Sequence, residues 1–227
     1  MDRAKSRTNG QATVTAAIRQ AILSNDLVPG QRLIEADLCD SFSTSRSTVR
    51  AALAQLTSEG LVEVVAHRGA RVRVIGLREA LEIVDVRLSL ELLCIERAIA
   101  RMTPEASAEL RELADRLRDR ATANDVTGFA ELTRRAFVYY VGLADHGVAR
   151  EMLERLRDRL SRHRLRLTYR PGRPQIALPY WLDLIDALCR RDLPAARDAL
   201  CRHVANIKET MVAIAEEETS ARPALSR

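Results

Sequence analysis

Apolar residues recur at helical spacing along almost the whole of this 227-residue chain, and one stretch alone breaks the period. Residues 61–65 and 72–75 are rich in β-branched side chains and flank Ala66-His67-Arg68-Gly69-Ala70, the pattern of two strands joined by a Gly-containing turn. One hairpin among many helices makes the chain mainly α. Aromatic residues are only 4% of the sequence, too few for the half-buried strands of a sandwich or barrel.

Ahead of the hairpin, residues 1–12 are polar and without period, and are read as a flexible tail. Val14, Ala17, Ile18, Ala21 and Ile22 then mark a first helix to about residue 25, which Pro29-Gly30 ends with a turn. A short second helix is expected over 35–41, with Leu38 inward. Ser43-Thr44-Ser45 offers capping hydroxyls to a third helix over 46–58, closed by Gly60. Helix, helix, turn, helix, hairpin is the plan of a winged helix-turn-helix over 13–76.

Past Gly76 the period stays helical to about residue 217. Breaks fall near Thr103-Pro104, Asn124, His146-Gly147, Pro171-Gly172 and Asp192-Leu193-Pro194. They divide 77–217 into about six helices, expected to pack as an all-α antiparallel bundle, with a second flexible tail over 218–227.

The third helix carries chemistry. Val49, Ala52, Leu53 and Leu56 form its apolar stripe, and Arg46 and Arg50, four apart, share a face away from it. Recognition helices meet base edges with their N-terminal residues, and Arg grips guanine O6 and N7 with two hydrogen bonds. Ser45, Ser47 and Thr48 lie at the same end, where hydroxyls and free N–H groups suit phosphate. The hairpin tip adds His67, Arg68 and Gly69: a cation for phosphate or a groove edge, and a glycine where backbone passes close. Two arginines on a helix are often only a solvated face. Their place at the start of the third helix, with a basic wing after it and a net charge of +5, points to double-stranded DNA.

Other classes lack their residues. No apolar run reaches the ~18–20 residues of a membrane span. Met1-Asp2-Arg3-Ala4-Lys5-Ser6-Arg7-Thr8 has no apolar stretch behind it, so a cytoplasmic location without membrane attachment is expected. Cys39, Cys94, Cys189 and Cys201 never approach CxxC spacing and read as small buried hydrophobes. There is no Gly-rich phosphate loop, no Gly-x-Ser-x-Gly elbow and no Cys–His cluster, so no enzyme is expected. Aromatic platforms for stacking RNA bases are missing too. The alternative to a regulator is a helical adaptor or structural dimer with a vestigial DNA-binding domain.

Pro29-Gly30-Gln31-Arg32-Leu33, Glu35, Leu38, Ser45-Arg46-Ser47-Thr48-Val49-Arg50, Ala52-Leu53, Leu56, Glu59-Gly60-Leu61-Val62 and Gly69 together resemble the DNA-binding domain of the GntR family of bacterial transcription regulators. The likeness covers residues 13–75 and implies DNA contacts for Ser45, Arg46, Ser47, Thr48, Arg50, Arg68 and Gly69. The chain departs from the family at Thr48, where Pro is usual, at Ala51, where Glu is usual, and at Ala36, where many members carry a DNA-contacting Arg.

Residues 77–215 resemble, more diffusely, the helical ligand-binding domain of the FadR-type branch. The points of likeness are Arg87-x-x-x-Glu91, Asp186-Ala187-Leu188, Asp192, Ala195-Ala196 and His203. That resemblance implies a homodimer that binds a small effector and thereby changes its affinity for a palindromic operator, as a repressor. A dimer also follows from geometry, since one recognition helix reads too few base pairs.

Many members of that branch hold a divalent metal with one Asp and three His. Carried over, these positions fall on Thr133, Phe137, Trp181 and His203. A Thr, a Phe and a Trp cannot ligate a cation, so no metal and no cofactor are expected. His203 is then either a hydrogen-bonded core residue or part of a different site. Arg87 is either the partner of Glu91 or a pocket group for an anion. His163 sits in the stripe Leu153, Leu156, Leu160, His163, Leu167, as a satisfied buried residue or as a polar anchor. Arg155, Arg157, Arg159, Arg162, Arg164 and Arg166 around it mostly face elsewhere and read as a solvated face; any that turn inward favour a carboxylate- or phosphate-bearing effector. The expected effector is an anion with an apolar part, held among Arg87, Phe137, His163, Trp181 and His203.

Overall fold

The computed structural model describes residues 2–66 and 68–221 of the chain. Its helices and strands run α1 (Asp2–Leu23), β1 (Arg32–Leu33), α2 (Glu35–Ser41), α3 (Arg46–Ser58), β2 (Val62–Val65), β3 (Gly69–Val72), α4 (Leu77–Ala100), α5 (Pro104–Thr122), α6 (Val126–Leu143), α7 (Gly147–Arg159), α8 (Ser161–Thr168), α9 (Arg173–Cys189) and α10 (Leu193–Ala221). Contacts divide these into two units, Met1–Gly76 with Arg157–Arg162, and Leu77–Leu156 with His163–Arg227.

The N-terminal unit is built around α3. Its stripe of Val49, Ala52, Leu53 and Leu56 is buried, against Val14, Ile18 and Ile22 of α1 and Leu38 of α2. Val62 and Val72 bring the sheet onto the same core. Arg19 of α1 clamps Glu59 at the end of α3 with a fork of bonds, the shortest 2.6 Å, half shielded from water. The sheet has the order β1-β3-β2, both pairs antiparallel, with Arg32 opposite Arg71 and Val65 opposite Gly69. Gly69 closes the hairpin at φ +79°, a backbone state that L side chains rarely adopt.

Several boundaries differ from the sequence reading. The first helix begins at Asp2 rather than near Thr13, in place of the expected tail over 1–12. No proline interrupts that stretch, and its Arg, Ala, Lys and Gln are good helix formers. The second wing strand is Gly69–Val72, not 72–75, because its register is set on both edges. The two-residue β1 was too short to show a period. His67 lies outside the described residues, as do 222–227 of the expected C-terminal tail; its first residues continue α10 to Ala221.

The second unit has seven helices where six were expected, since the chain breaks at Leu160 between α7 and α8. Its centre is α9, packed against α5 and α10, with α4 against α6, α9 and α10. Leu110, Leu113 and Leu117 of α5 and Leu184 and Leu188 of α9 are almost fully buried. Caps fix the starts: Thr103 Oγ1 accepts from Ala106 N–H ahead of α5, and Asp125 Oδ1 from Gly128 N–H ahead of α6. The Arg155–Arg166 run is only partly a solvated face. Arg155 and Arg162 are exposed, whereas Arg157, Arg159, Arg164 and Arg166 are half-buried, Arg166 paired with Glu218.

Leu56→Ala removes a fully buried anchor of α3 and should cost ~2–5 kcal/mol. Val64→Thr, on the open face of the wing, should stay within ~0.5 kcal/mol. Hydrogen exchange across α3 reads both, and faster exchange is expected for Leu56→Ala alone.

Candidate DNA-binding face and effector site

Burial of the α3 stripe leaves the opposite face of that helix in water. Arg46, Ser47 and Arg50 are all exposed there. Ser45 is the N-cap of α3, its Oγ accepting from the Thr48 N–H at 3.2 Å. The same oxygen lies 2.8 Å from Ser47 Oγ and 2.9 Å from Thr48 Oγ1, so three hydroxyls cluster over the helix N-terminus. Partial positive charge at that end suits a phosphate. Arg50 donates from Nε to both carboxylate oxygens of Glu35 on α2, at 2.8 and 3.0 Å. This pair uses neither terminal Nη group. It orients the guanidinium while leaving both Nη groups outside the pair on an exposed side chain. The role of Glu35 as the holder of Arg50 rests on a contact between α2 and α3, 15 residues apart, that no local spacing signals. Arg68 and Gly69 are exposed on the wing, Arg68 donating its backbone N–H to Val65 O at 2.9 Å.

In the second unit the proposed effector residues form two contacting pairs and an outlier. Arg87 of α4 lies over the ring of Phe137 of α6, its Cζ 5.8 Å from the centroid. Trp181 of α9 meets His203 of α10 edge-on at 5.1 Å, and Tyr180 stacks on the same imidazole at 5.8 Å. His163 is on α8, half-buried, on a helix that carries none of the other four. The pairs lie within electrostatic reach of each other, because the positive charge of Arg87 acts on His203.

Arg87 is also an ion-pair partner. Its Nη2 donates to Glu91 Oε1 at 2.8 Å, and the other Glu91 oxygen accepts from Tyr140 O–H at 2.9 Å. Of the two readings of Arg87, the pairing with Glu91 is present; its Nε is in addition buried without a hydrogen-bond partner. Tyr140 is held far above the usual phenol range, by burial and then by the Glu91 carboxylate. Burial first, then the positive charges of Arg173 and Arg87, push His203 down to about 3, so the imidazole is neutral at physiological pH.

At the positions set against a metal site, Thr133 turns its hydroxyl to Ala130 O at 2.8 Å, and Phe137 and Trp181 are buried aromatic rings with no lone pair to offer a cation. Among the described residues no group of three or more His, Cys, Asp or Glu could hold a metal ion. Sequence reasoning missed Arg173, a buried guanidinium that donates from Nη1 to Asn206 Oδ1 at 2.7 Å. Its signal was available: Arg173, Ala177, Trp181, Leu184 and Leu188 follow helical spacing, with a charge heading an apolar stripe.

A neutral buried histidine has a consequence for stability. Its folded pKa lies below its unfolded value, so the unfolded chain takes a proton first as pH falls. The contribution is complete above about pH 7 and is lost progressively toward acid. Wild-type protein should therefore lose more thermal stability than His203→Gln between about pH 7 and pH 5. Parallel melting curves for the two proteins across that range would contradict the assignment.

Comparison with known proteins agrees with both halves. Residues 11–72 match the model for bacterial regulatory proteins of the gntR family, and residues 82–206 match the FCD domain. The HTH-type transcriptional repressor GlaR of Escherichia coli is 31% identical over 162 residues, 67% of this chain and 73% of that protein. The repressor RspR of the same species is 25% identical over 202 residues, 89% of each chain. The solved structure of E. coli McbR/YncC superposes with a TM-score of 0.72 at 25% identity, covering 92% of this chain and 98% of that one. None of the described helices is long and apolar enough to cross a membrane. A winged helix-turn-helix with an exposed arginine face, followed by a helical FCD domain, makes this chain a member of the GntR family of bacterial transcription regulators.

Proposed function

We propose that the protein is a cytoplasmic homodimer that represses transcription from a palindromic operator, and that a small organic anion bound in the helical unit changes its operator affinity. The observation that carries the DNA half is the exposed face of α3, with Arg46 and Arg50 pointing away from the buried stripe and Arg50 oriented by Glu35. Arg46 and Arg50 read base edges. Ser45, Ser47 and Thr48 meet phosphate at the helix N-terminus, and Arg68 and Gly69 of the wing meet the backbone or a groove edge. Repression is supported by the names of GlaR and RspR, both described as repressors.

The effector half rests on buried polar groups inside an apolar bundle. Arg87, Phe137, Trp181 and His203 supply a cation, aromatic walls and a neutral imidazole, the mixture small-molecule sites use. His163 on α8 is a second polar position that a larger effector could reach. The site works without metal, because Thr133, Phe137 and Trp181 offer no ligand set. An effector shifts DNA binding only through its differential affinity for two arrangements of the dimer, and a coupling of ~1–3 kcal/mol moves operator affinity ~5–150-fold.

An operator selected from random duplexes allows two tests. Arg46→Ala and Arg50→Ala should each cost ~1–3 kcal/mol of specific binding, whereas Arg68→Ala should weaken all sequences alike and reduce the salt slope by about one. Unchanged operator affinity in the Arg46/Arg50 double variant would remove them from the interface. Trp181 is the single tryptophan, so its emission should respond to effector in a metabolite screen. A ligand that alters operator binding but is insensitive to Trp181→Ala together with Arg87→Ala would place the site elsewhere.

A further inference from the structure

Arg46 and Arg50 share the open face of α3 but not the same surroundings. Among the described residues no carboxylate pairs with Arg46, so its guanidinium can follow any negative group. Arg50 is tethered. Its Nε lies 2.8 and 3.0 Å from the two oxygens of Glu35, and the side chains of the pair are 68% and 36% exposed. As a stabilising contact such a pair is weak, because water screens both charges. Its place says more. Glu35 opens α2 with a second acid, Asp37, and Ala36 between them brings no cation. Negative charge therefore stands within hydrogen-bond reach of one of the two arginines on the recognition face. For a surface that met only phosphate this would be a loss, since each acid there opposes the charge of the DNA backbone. A base edge is different. Guanine O6 and N7 accept from two N–H groups in one plane, and a guanidinium held by Nε keeps its four Nη hydrogens.

We propose that Glu35 is a positioning residue that sets sequence specificity: it keeps Arg50 off the phosphates, so that Arg50 reads a guanine, and it does so at the expense of affinity for DNA of any sequence. This rests on the reading of α3 as the recognition helix and adds a determinant from the other helix of the motif. Phosphate accepts an arginine in many rotamers, whereas a base edge requires one. An untethered Arg50 would satisfy its charge on the nearest phosphate of any duplex. With Glu35 in place that charge is already met, and what Arg50 gains on DNA is the geometry of the base. The two arginines then divide the work. Arg46, untethered, adds general attraction to its base contact, and Arg50 supplies discrimination.

The test uses the full-length protein, the operator selected from random duplexes, the same operator with each G·C pair changed in turn, and an unrelated duplex of equal length. The pair that Arg50→Ala no longer distinguishes marks the base that Arg50 reads. Glu35→Ala should reduce discrimination at that pair about 5-fold or more. It should also bind the unrelated duplex more tightly, with a salt slope steeper by about one, because Arg50 then neutralises a phosphate. Glu35→Gln keeps an acceptor for Nε and should retain more discrimination than Glu35→Ala. In the Arg50→Ala background, Glu35→Ala should change nothing at that pair. Both Glu35 variants should melt with the wild type, since the pair is exposed. A Glu35 that merely joined α2 to α3 would instead lower the melting temperature and weaken both duplexes alike. Unchanged discrimination in Glu35→Ala, weaker binding to the unrelated duplex, or an equal loss with Arg50 already removed would overturn the proposal while leaving α3 as the recognition helix. Absence of any base pair that Arg50→Ala ceases to distinguish would overturn both the proposal and the assignment of Arg50 as a base reader.

Discussion

The burial of one face of α3 against α1 decides what the rest of the N-terminal unit can present. Val49, Ala52, Leu53 and Leu56 are committed to the core, so the helix has no rotational freedom left. Arg46, Ser47 and Arg50 face water as a consequence. The Arg19–Glu59 clamp fixes the far end of α3, and the Ser45 cap fixes its start. Glu35 then narrows the last freedom, the rotamer of Arg50, at the cost of a modest exposed ion pair that a DNA base can share or displace. Preorganisation of this kind reduces the side-chain entropy lost on binding.

Most of that unit was legible because helix period, cap hydroxyls and β-branched runs are local signals. Glu35–Ser41 and Arg46–Ser58 agree with the ranges expected from Leu38, Ser45 and Gly60. The wing was less legible. β1 is two residues long, and the register of β3 depends on pairing with both β1 and β2, which no window of sequence contains. The split at Leu160 also escaped, since Leu153, Leu156, Leu160 and Leu167 keep an unbroken apolar spacing across two helices. That same spacing is what placed His163 in one stripe with the leucines of α7.

In the helical unit, individual residues were easier to find than their partners. The sequence left Arg87 between two roles; the structure shows the first, through Nη2 to Glu91, and leaves Nε buried without a partner. Tyr140, 49 residues from Glu91, closes that arrangement by a contact that spacing could not reveal. Replacement of ligand-type residues by Thr133, Phe137 and Trp181 was visible at once. The buried Arg173 on Asn206 was not visible in the same way, since it depends on the docking of α9 against α10. The result is a domain interior whose charge is supplied by side chains, with His203 held neutral between two aromatic rings.

Two features together constitute the account: a basic recognition face outside and a charged cluster inside. A footprint of the purified protein on DNA fragments, taken with and without a ligand that perturbs Trp181, joins them in one measurement. The account predicts a protected site with two-fold symmetric halves about one helical turn apart, whose protection changes when the ligand is added. Protection spread evenly along the fragments, or a symmetric footprint indifferent to every ligand that reaches Trp181, would contradict it.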